Sequence, residues 1–280
     1  MKARIKFKKN GALRFIGHLD VMRFFQKAMR RAGIPIAFTK GYSPHMIMSF
    51  ASPLGIGHSS DGEYFDIELK EAISGKEAVK RLNDVMVEGM EVVSFRQIGE
   101  EKKMTGMAIV AAADYLTTLK KGSLPAGWKA KISEFLAQPE IRIWKQTKRS
   151  ENEVDIKPLI YKLEANKKES CKQDSPPAAG CDSNNSSAAA VRSPGGFSSD
   201  REHSSLSDEN SFYMQVAAGS VQNLKPELVM EAFCRFLEVE WGTVDFHHHR
   251  LEMYADVGTG SGRELKPLED MGWEMEIETA

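Results

Sequence analysis

Over the first hundred positions the apolar residues change period in an orderly way, recurring every second residue in some stretches and every three or four in others. "ARIKFKK" alternates as a strand does, and the apolar residues from His18 to Ala32 have helical spacing. "MIMSFAS" and "EYFDIEL" read as strands, "GKEAVKRLNDVM" as a helix and "MEVVSFRQI" as a closing strand. The order β-α-β-β-α-β is that of a ferredoxin-like unit.

The pattern recurs further along. "AIVAAADYLTTL" reads as a strand, "GWKAKISEFLAQ" as a helix, "EIRIWKQT" and "FYMQVAAG" as the two middle strands, "PELVMEAFCRFLEV" as a helix and "VDFHHHRLEMYA" as the last strand. "EVDIKPLIYKLEA" and a serine-rich stretch fall between the two middle strands. The expected fold class is therefore α+β, with two tandem ferredoxin-like (βαββαβ) units. The first covers residues 1–100 and carries a basic first helix; the second covers 105–165 plus 209–256. Residues 166–208 are expected to be a disordered insert. From Lys167 to Asp208, 11 of 42 residues are Ser and large apolar side chains are few, too little burial to offset the entropy of ordering the segment. Residues 257–280 form an acidic tail, and its end, "EDMGWEMEIETA", with five Asp or Glu in 12 residues, reads as frayed.

Whole-chain composition adds little to this picture. With 280 residues, 41% hydrophobic, 28% charged and a formal net charge of −1, the chain has the balance of a soluble protein, and its overall charge names no partner. The start, "MKARIKFKKNG", lacks an apolar targeting core, and no long uncharged apolar run suits a bilayer, so a cytoplasmic protein without a membrane partner is expected. The three cysteines, Cys171, Cys181 and Cys234, have no repeated spacing and read as free thiols, with no metal site and no bound cofactor expected.

Local charge is more informative. Residues 1–50 hold 11 Lys or Arg against one acid, Asp20, whereas residues 51–100 hold 5 against 10. On the first helix Gly17 can serve as N-cap with Asp20 in the first turn, and Gly33 and Pro35 stop it. Helical spacing puts Leu19, Met22, Phe25, Met29 and Ala32 on one face and Arg23, Lys27, Arg30 and Arg31 on the other. A solvated helix face explains those cations; so does a polyanion site, with RNA ahead of DNA, because the preceding strand and following loop are also basic.

That loop, "TKGYSPHM", offers Lys40, a turn at Gly41, a backbone restricted by Pro44, and the rings of Tyr42 and His45 for a base or sugar. "SPLGIGHSSDGEY" is a second glycine-rich loop whose amides could receive an anion, although neither loop has a phosphate-loop spacing. His18 and His45 are the candidate acid/base residues if the chain is an enzyme, with His18 turned toward the apolar face of its helix. In the run His247, His248 and His249 only the outer two share a strand face, and no third ligand is evident, which argues against a metal.

Several of these residues fall in a recognisable pattern. Phe7, Lys9 and Gly11 are followed by Arg14, Phe15, His18, Leu19 and Asp20, then Arg30, Arg31, Ala32, Gly33 and Pro35, then Gly41, Pro44 and His45. The stretch closely resembles a radical-SAM-associated domain of unknown function, which occurs as a separate small protein or joined to the C-terminus of cobalamin-binding-type radical SAM proteins. It departs at Gly17, where the family has Ser, and at Tyr42, where it has Phe. "KRSENEVDIKPLI" and "HRLEMY" look like later family segments. The resemblance implies a radical SAM protein as partner, which would supply the iron–sulfur chemistry, since this chain lacks the Cys-x-x-x-Cys-x-x-Cys motif.

The expected function is a non-catalytic, RNA-binding accessory protein that presents tRNA or rRNA to that partner. Arg23, Lys27, Arg30, Arg31 and Lys40 would contact phosphate, and Tyr42 and His45 a base or sugar. The alternatives are a metal-independent endoribonuclease of the tandem ferredoxin-like type and a protein-only scaffold.

Overall fold

A computed structural model of the chain describes residues 1–146, 151–166, 210–259 and 262–276. The elements, in chain order, are β1 (Lys2–Lys9), α1 (His18–Arg31), β2 (Met48–Phe50), β3 (Ser59–Glu68), α2 (Gly75–Asn83), β4 (Met90–Ile98), α3 (Gly106–Ile109) and β5 (Val110–Lys121). They continue with α4 (Trp128–Ala137), β6 (Arg142–Gln146), β7 (Glu151–Asp155), β8 (Ile160–Ala165), β9 (Ser211–Ala217), α5 (Pro226–Phe236), β10 (Asp245–Asp256), β11 (Leu265–Pro267) and β12 (Trp273–Glu274). The fold is α+β, with few helices on a large mixed sheet of ten strands.

Strand order along the sheet runs β12-β4-β1-β3-β10-β5-β9-β8, with β2 on β3 and β11 on β10. Neighbouring strands are antiparallel except where the two halves meet. There β3 and β10 run parallel and pair only through His249 with Ser59 and Arg250 with Ser60. So short a ladder of backbone bonds gives side chains a large share in holding β3 to β10. Gly62 permits the close approach: a Cβ there would lie 2.7 Å from the Leu251 carbonyl oxygen and 2.9 Å from the Glu252 Cα.

Alternation along the strands sends one set of side chains into two apolar cores. Ala3, Ile5 and Phe7 of β1 bury against Phe25 and Met29 of α1 and Ala78 and Leu82 of α2. The rings of Phe7, Phe25 and Phe65 meet with centroids 4.6 to 5.7 Å apart. In the second half, Phe212, Met214 and Val216 of β9 bury with Phe135 of α4 and Val229, Met230 and Phe233 of α5. The opposite set, including Arg4, Lys6, Asp66, Asp114 and Glu252, lies on the other face of the sheet.

Three sequence expectations change. Leu19 is 58% exposed, whereas Phe25, Met29 and Ala32 are buried as expected and Met22 packs against the same core; the apolar face of α1 takes in Val21 and Ala28 in place of Leu19. "EIRIWKQT" holds β6, which pairs with β7 in a separate two-stranded hairpin; the strand that joins β9 in the main sheet is β8, within "EVDIKPLIYKLEA". The tail is not frayed over 262–276: β11 pairs with β10, Trp273 with Gln97 and Glu274 with Arg96, and Leu268 and Met275 are buried. The expected disordered insert, with Cys171 and Cys181, lies outside the described residues apart from Asn166. Cys234 is a buried free thiol, which burial pushes up to about 11. Among the described residues no helix is long and apolar enough to cross a membrane.

Candidate functional site

The basic residues of α1 stand on its outer side because the inner positions are taken by Val21, Phe25, Ala28 and Met29. Arg23, Lys27, Arg30 and Arg31 are all exposed. Arg23 contacts Asp20 at 3.3 Å, one turn earlier, while Lys27, Arg30 and Arg31 have no acidic partner among the described residues. Gly33, with φ of 63°, lets the chain leave the helix and enter the following segment.

That segment is a narrow hairpin. Ile36 bridges to Leu69 and Phe38 to Met46, and Thr39 N–H donates to the His45 carbonyl at 2.9 Å. His45 is held again at its backbone, whose N–H donates to Thr39 Oγ1 at 3.1 Å. Lys40, Tyr42 and His45 are exposed at the tip, and Gly41 turns the chain there with φ of 121°. Lys40 also lacks an acidic partner among the described residues. The helix and the hairpin tip that follows it thus offer unpaired cations and two exposed rings.

His18 is placed differently. It is the first residue of α1, half-buried, with its ring edge-on to Phe50 at a centroid distance of 4.9 Å. Burial, and then the Lys9 charge, hold its imidazole below the ordinary histidine value. His18 and His45 therefore do not form a hydrogen-bonded pair.

A second cluster forms where β3 meets β10, and it gathers four of the seven histidines. Ser59 Oγ lies 2.8 Å from His247 Nε2 and 2.7 Å from His249 Nδ1, and His249 Nε2 lies 3.0 Å from Asp61 Oδ2. Asn10 Nδ2 donates to the other Asp61 oxygen at 3.3 Å. Behind them, His248 Nδ1 meets Thr117 Oγ1 at 2.8 Å, and His58 Nε2 meets Glu227 Oε1 at 3.0 Å. His247 and His249 share one strand side and His248 the other, as strand alternation requires. No group of three or more His, Cys, Asp or Glu with metal-holding geometry occurs among the described residues.

Buried charges surround this junction. Arg250 donates to Glu63 at 2.9 Å, to the Ser52 carbonyl at 2.9 Å and to Tyr115 Oη at 2.9 and 3.0 Å. Lys6 bridges Glu252 at 2.7 Å and Glu269 at 3.0 Å, and Tyr64 donates to Glu252 at 2.6 Å. Arg4 grips Asp66 through two nitrogens at 2.8 and 3.1 Å. Burial disfavours the Arg250 charge, but Glu63 and Tyr115 outweigh it and hold the guanidinium above its ordinary value.

Sequence reasoning had the outer two histidines on one strand face but had no means of finding Ser59 and Asp61, which lie about 190 positions away from them. The only local signal was the glycine-rich "SPLGIGHSSDGEY", in which both occur.

A family model described as "Uncharacterized protein conserved in bacteria (DUF2344)" matches residues 2–226. No curated protein matches the sequence. Among solved structures, a chain of the "Crystal Structure of a Cbf5-Nop10-Gar1 Complex" is similar with a TM-score of 0.44 and 10% identity, over 90% of this chain and 48% of that one. This chain thus spans about half the length of that relative.

Proposed function

The chain belongs to the family of uncharacterized proteins conserved in bacteria (DUF2344), and from that premise we propose that it is a non-catalytic RNA-binding accessory protein that presents its RNA to a radical SAM partner in the cytoplasm. The observation that carries the reading is the set of exposed cations on α1 and the hairpin tip. Lys27, Arg30, Arg31 and Lys40 have no acidic partner among the described residues, so their charge is available to phosphate. Tyr42, fully exposed at the turn, and His45 supply rings beside that charge for stacking on an unpaired base. Backbone bonds between Thr39 and His45 and between Ile47 and Ala37 close the base of the hairpin, which lowers the ordering that binding requires.

The strand orders β4-β1-β3-β2 and β10-β5-β9-β8 support reading the two halves as ferredoxin-like units joined edge to edge. The radical SAM partner rests on the sequence resemblance, and the iron–sulfur chemistry belongs to that partner.

Ultraviolet crosslinking of the full chain, with identification of both the bound nucleic acid and the crosslinked peptides, tests the proposal. RNA joined to peptides from residues 18–45 supports it. Recovery of a protein partner with no RNA would favour a protein-only scaffold, and RNA cleaved by the purified chain, with His18→Ala or His45→Ala abolishing the cut, would favour the endoribonuclease.

A further inference from the structure

Ser59, His249 and Asp61 make a continuous hydrogen-bonded line, and its proton order can be assigned. Asp61 Oδ2 accepts from His249 Nε2–H, so the neutral ring has Nδ1 free as an acceptor. The Ser59 hydroxyl then donates to His249 Nδ1 at 2.7 Å, and its oxygen accepts from His247 Nε2–H at 2.8 Å. This is the arrangement of a serine whose proton is taken by a base that a carboxylate orients.

Ser59 is 6% exposed, whereas the side chains of His249 and Asp61 are 19% and 46% exposed, so the line runs from a sheltered hydroxyl to the solvent. Although burial opposes it, bonds from His249 and Asn10 keep the Asp61 carboxyl below the ordinary carboxylate value, hence ionised. His247 is pushed down to about 4, by burial first and then by Arg14 and Lys120, so at neutral pH it is an uncharged N–H donor.

We propose that Ser59 is a nucleophile for small carboxylic esters, with His249 as general base and His247 as a donor to the developing oxyanion. Asp61 is a positioning residue that fixes the His249 tautomer. Ser59 Oγ bonds to the carbonyl carbon while its proton passes to His249 Nδ1, and the carbonyl electron pair moves onto oxygen facing His247 Nε2–H. Collapse breaks the bond to the alcohol, which leaves with the proton from His249. Water then repeats the sequence on the acyl-serine, releasing the acid and restoring Ser59. This site is separate from the cations of α1 and does not depend on the RNA reading.

The test is reaction of the full native chain with a fluorophosphonate probe, which loses fluoride to an activated serine, followed by peptide mapping. Label is expected on Ser59, at least tenfold faster in native than in heat-unfolded protein, and absent in Ser59→Ala. Labelling of His249→Gln is expected to fall by about a hundredfold or more. Asp61→Asn, at a half-exposed position, is expected to lose labelling that Asp61→Glu partly restores while both keep the same thermal midpoint. Native protein that labels at Ser59 no faster than unfolded protein would overturn the proposal without recourse to any variant, as would undiminished labelling of His249→Gln.

Discussion

Arg250 on β10 reaches Glu63 on β3 at 2.9 Å, with the two side chains 5% and 4% exposed. The residues come from opposite halves of the chain, at the one place where the main sheet pairs in parallel. Because that ladder is two residue pairs long, this buried ion pair and its neighbours carry much of the connection. Removing one partner leaves a buried charge without compensation. Arg250→Met is expected to lower stability by about 3–5 kcal/mol, and the double variant Arg250→Met/Glu63→Leu by less. Denaturant titration of the three proteins measures the difference, and equal losses would contradict the pairing.

Gly62 sits beside the same junction, where an added Cβ would meet backbone atoms that cannot rotate away. Gly62→Ala is expected to cost about 1–3 kcal/mol, because the strands must separate to admit one methyl group. Hydrogen exchange should show the loss first at the amides of β3 and β10. A variant as stable as the original would mean that the halves do not approach so closely.

Local patterning made much of each half legible and left the junction hidden. β1 was recoverable because Ala3, Ile5 and Phe7 alternate with charged residues, β4 because it is rich in β-branched and aromatic residues, and α1 because glycine and proline bound it. The pairing of Ser59 with His249 leaves no periodic trace, since it joins positions 190 residues apart through a very short parallel ladder. β6 was misplaced because an alternating strand looks the same whether it enters the main sheet or pairs locally with β7. The tail was misread because acidic composition conceals how much a single buried residue, such as Met275, can hold. The cations of α1 were visible in advance; the Ser59 to Asp61 line was not, because it exists only once the two halves are joined.

Met275 is 4% exposed in the core of the first half, and its carbonyl accepts from Gly75 N–H at 2.8 Å at the start of α2. Met275→Ala should cost about 2–5 kcal/mol through lost burial and the cavity left behind. Thermal unfolding reads the effect, and a change under about 0.5 kcal/mol, as for an ordinary surface site, would contradict a docked tail.

Acid should weaken the junction. Burial pushes His248 down to about 3 and, with Arg14 and Lys120 adding to it, His247 down to about 4, from an ordinary value of 6.5. Below about pH 6.5 the unfolded chain therefore binds more protons at these rings than the folded one, and the stability they contribute is lost as pH falls toward 4 and 3. Glu227 acts in the same direction lower down: burial raises its carboxyl, but bonds from His58 and its own backbone bring it to about 2, so its contribution falls away between 4.5 and 2. The loss attached to His248 is on the order of a few kcal/mol at about 1.4 kcal/mol per unit. Unfolding midpoints should be level from pH 8 to 7 and fall from about 6.5 to 4. His248→Gln should flatten that fall, and an unchanged slope would show that His248 is not a source of it.

Neutralisation of RNA phosphates by α1 is read directly from counterion release. The affinity of the full chain for a structured RNA, plotted as the logarithm of the association constant against the logarithm of salt concentration, should fall on a line of negative slope. Each phosphate contact contributes about 0.7 to 0.9 to that slope, so Arg30→Ala/Arg31→Ala should make it shallower by roughly 1 to 2. No measurable RNA affinity, or a slope that the double variant leaves unchanged, would contradict phosphate binding by α1.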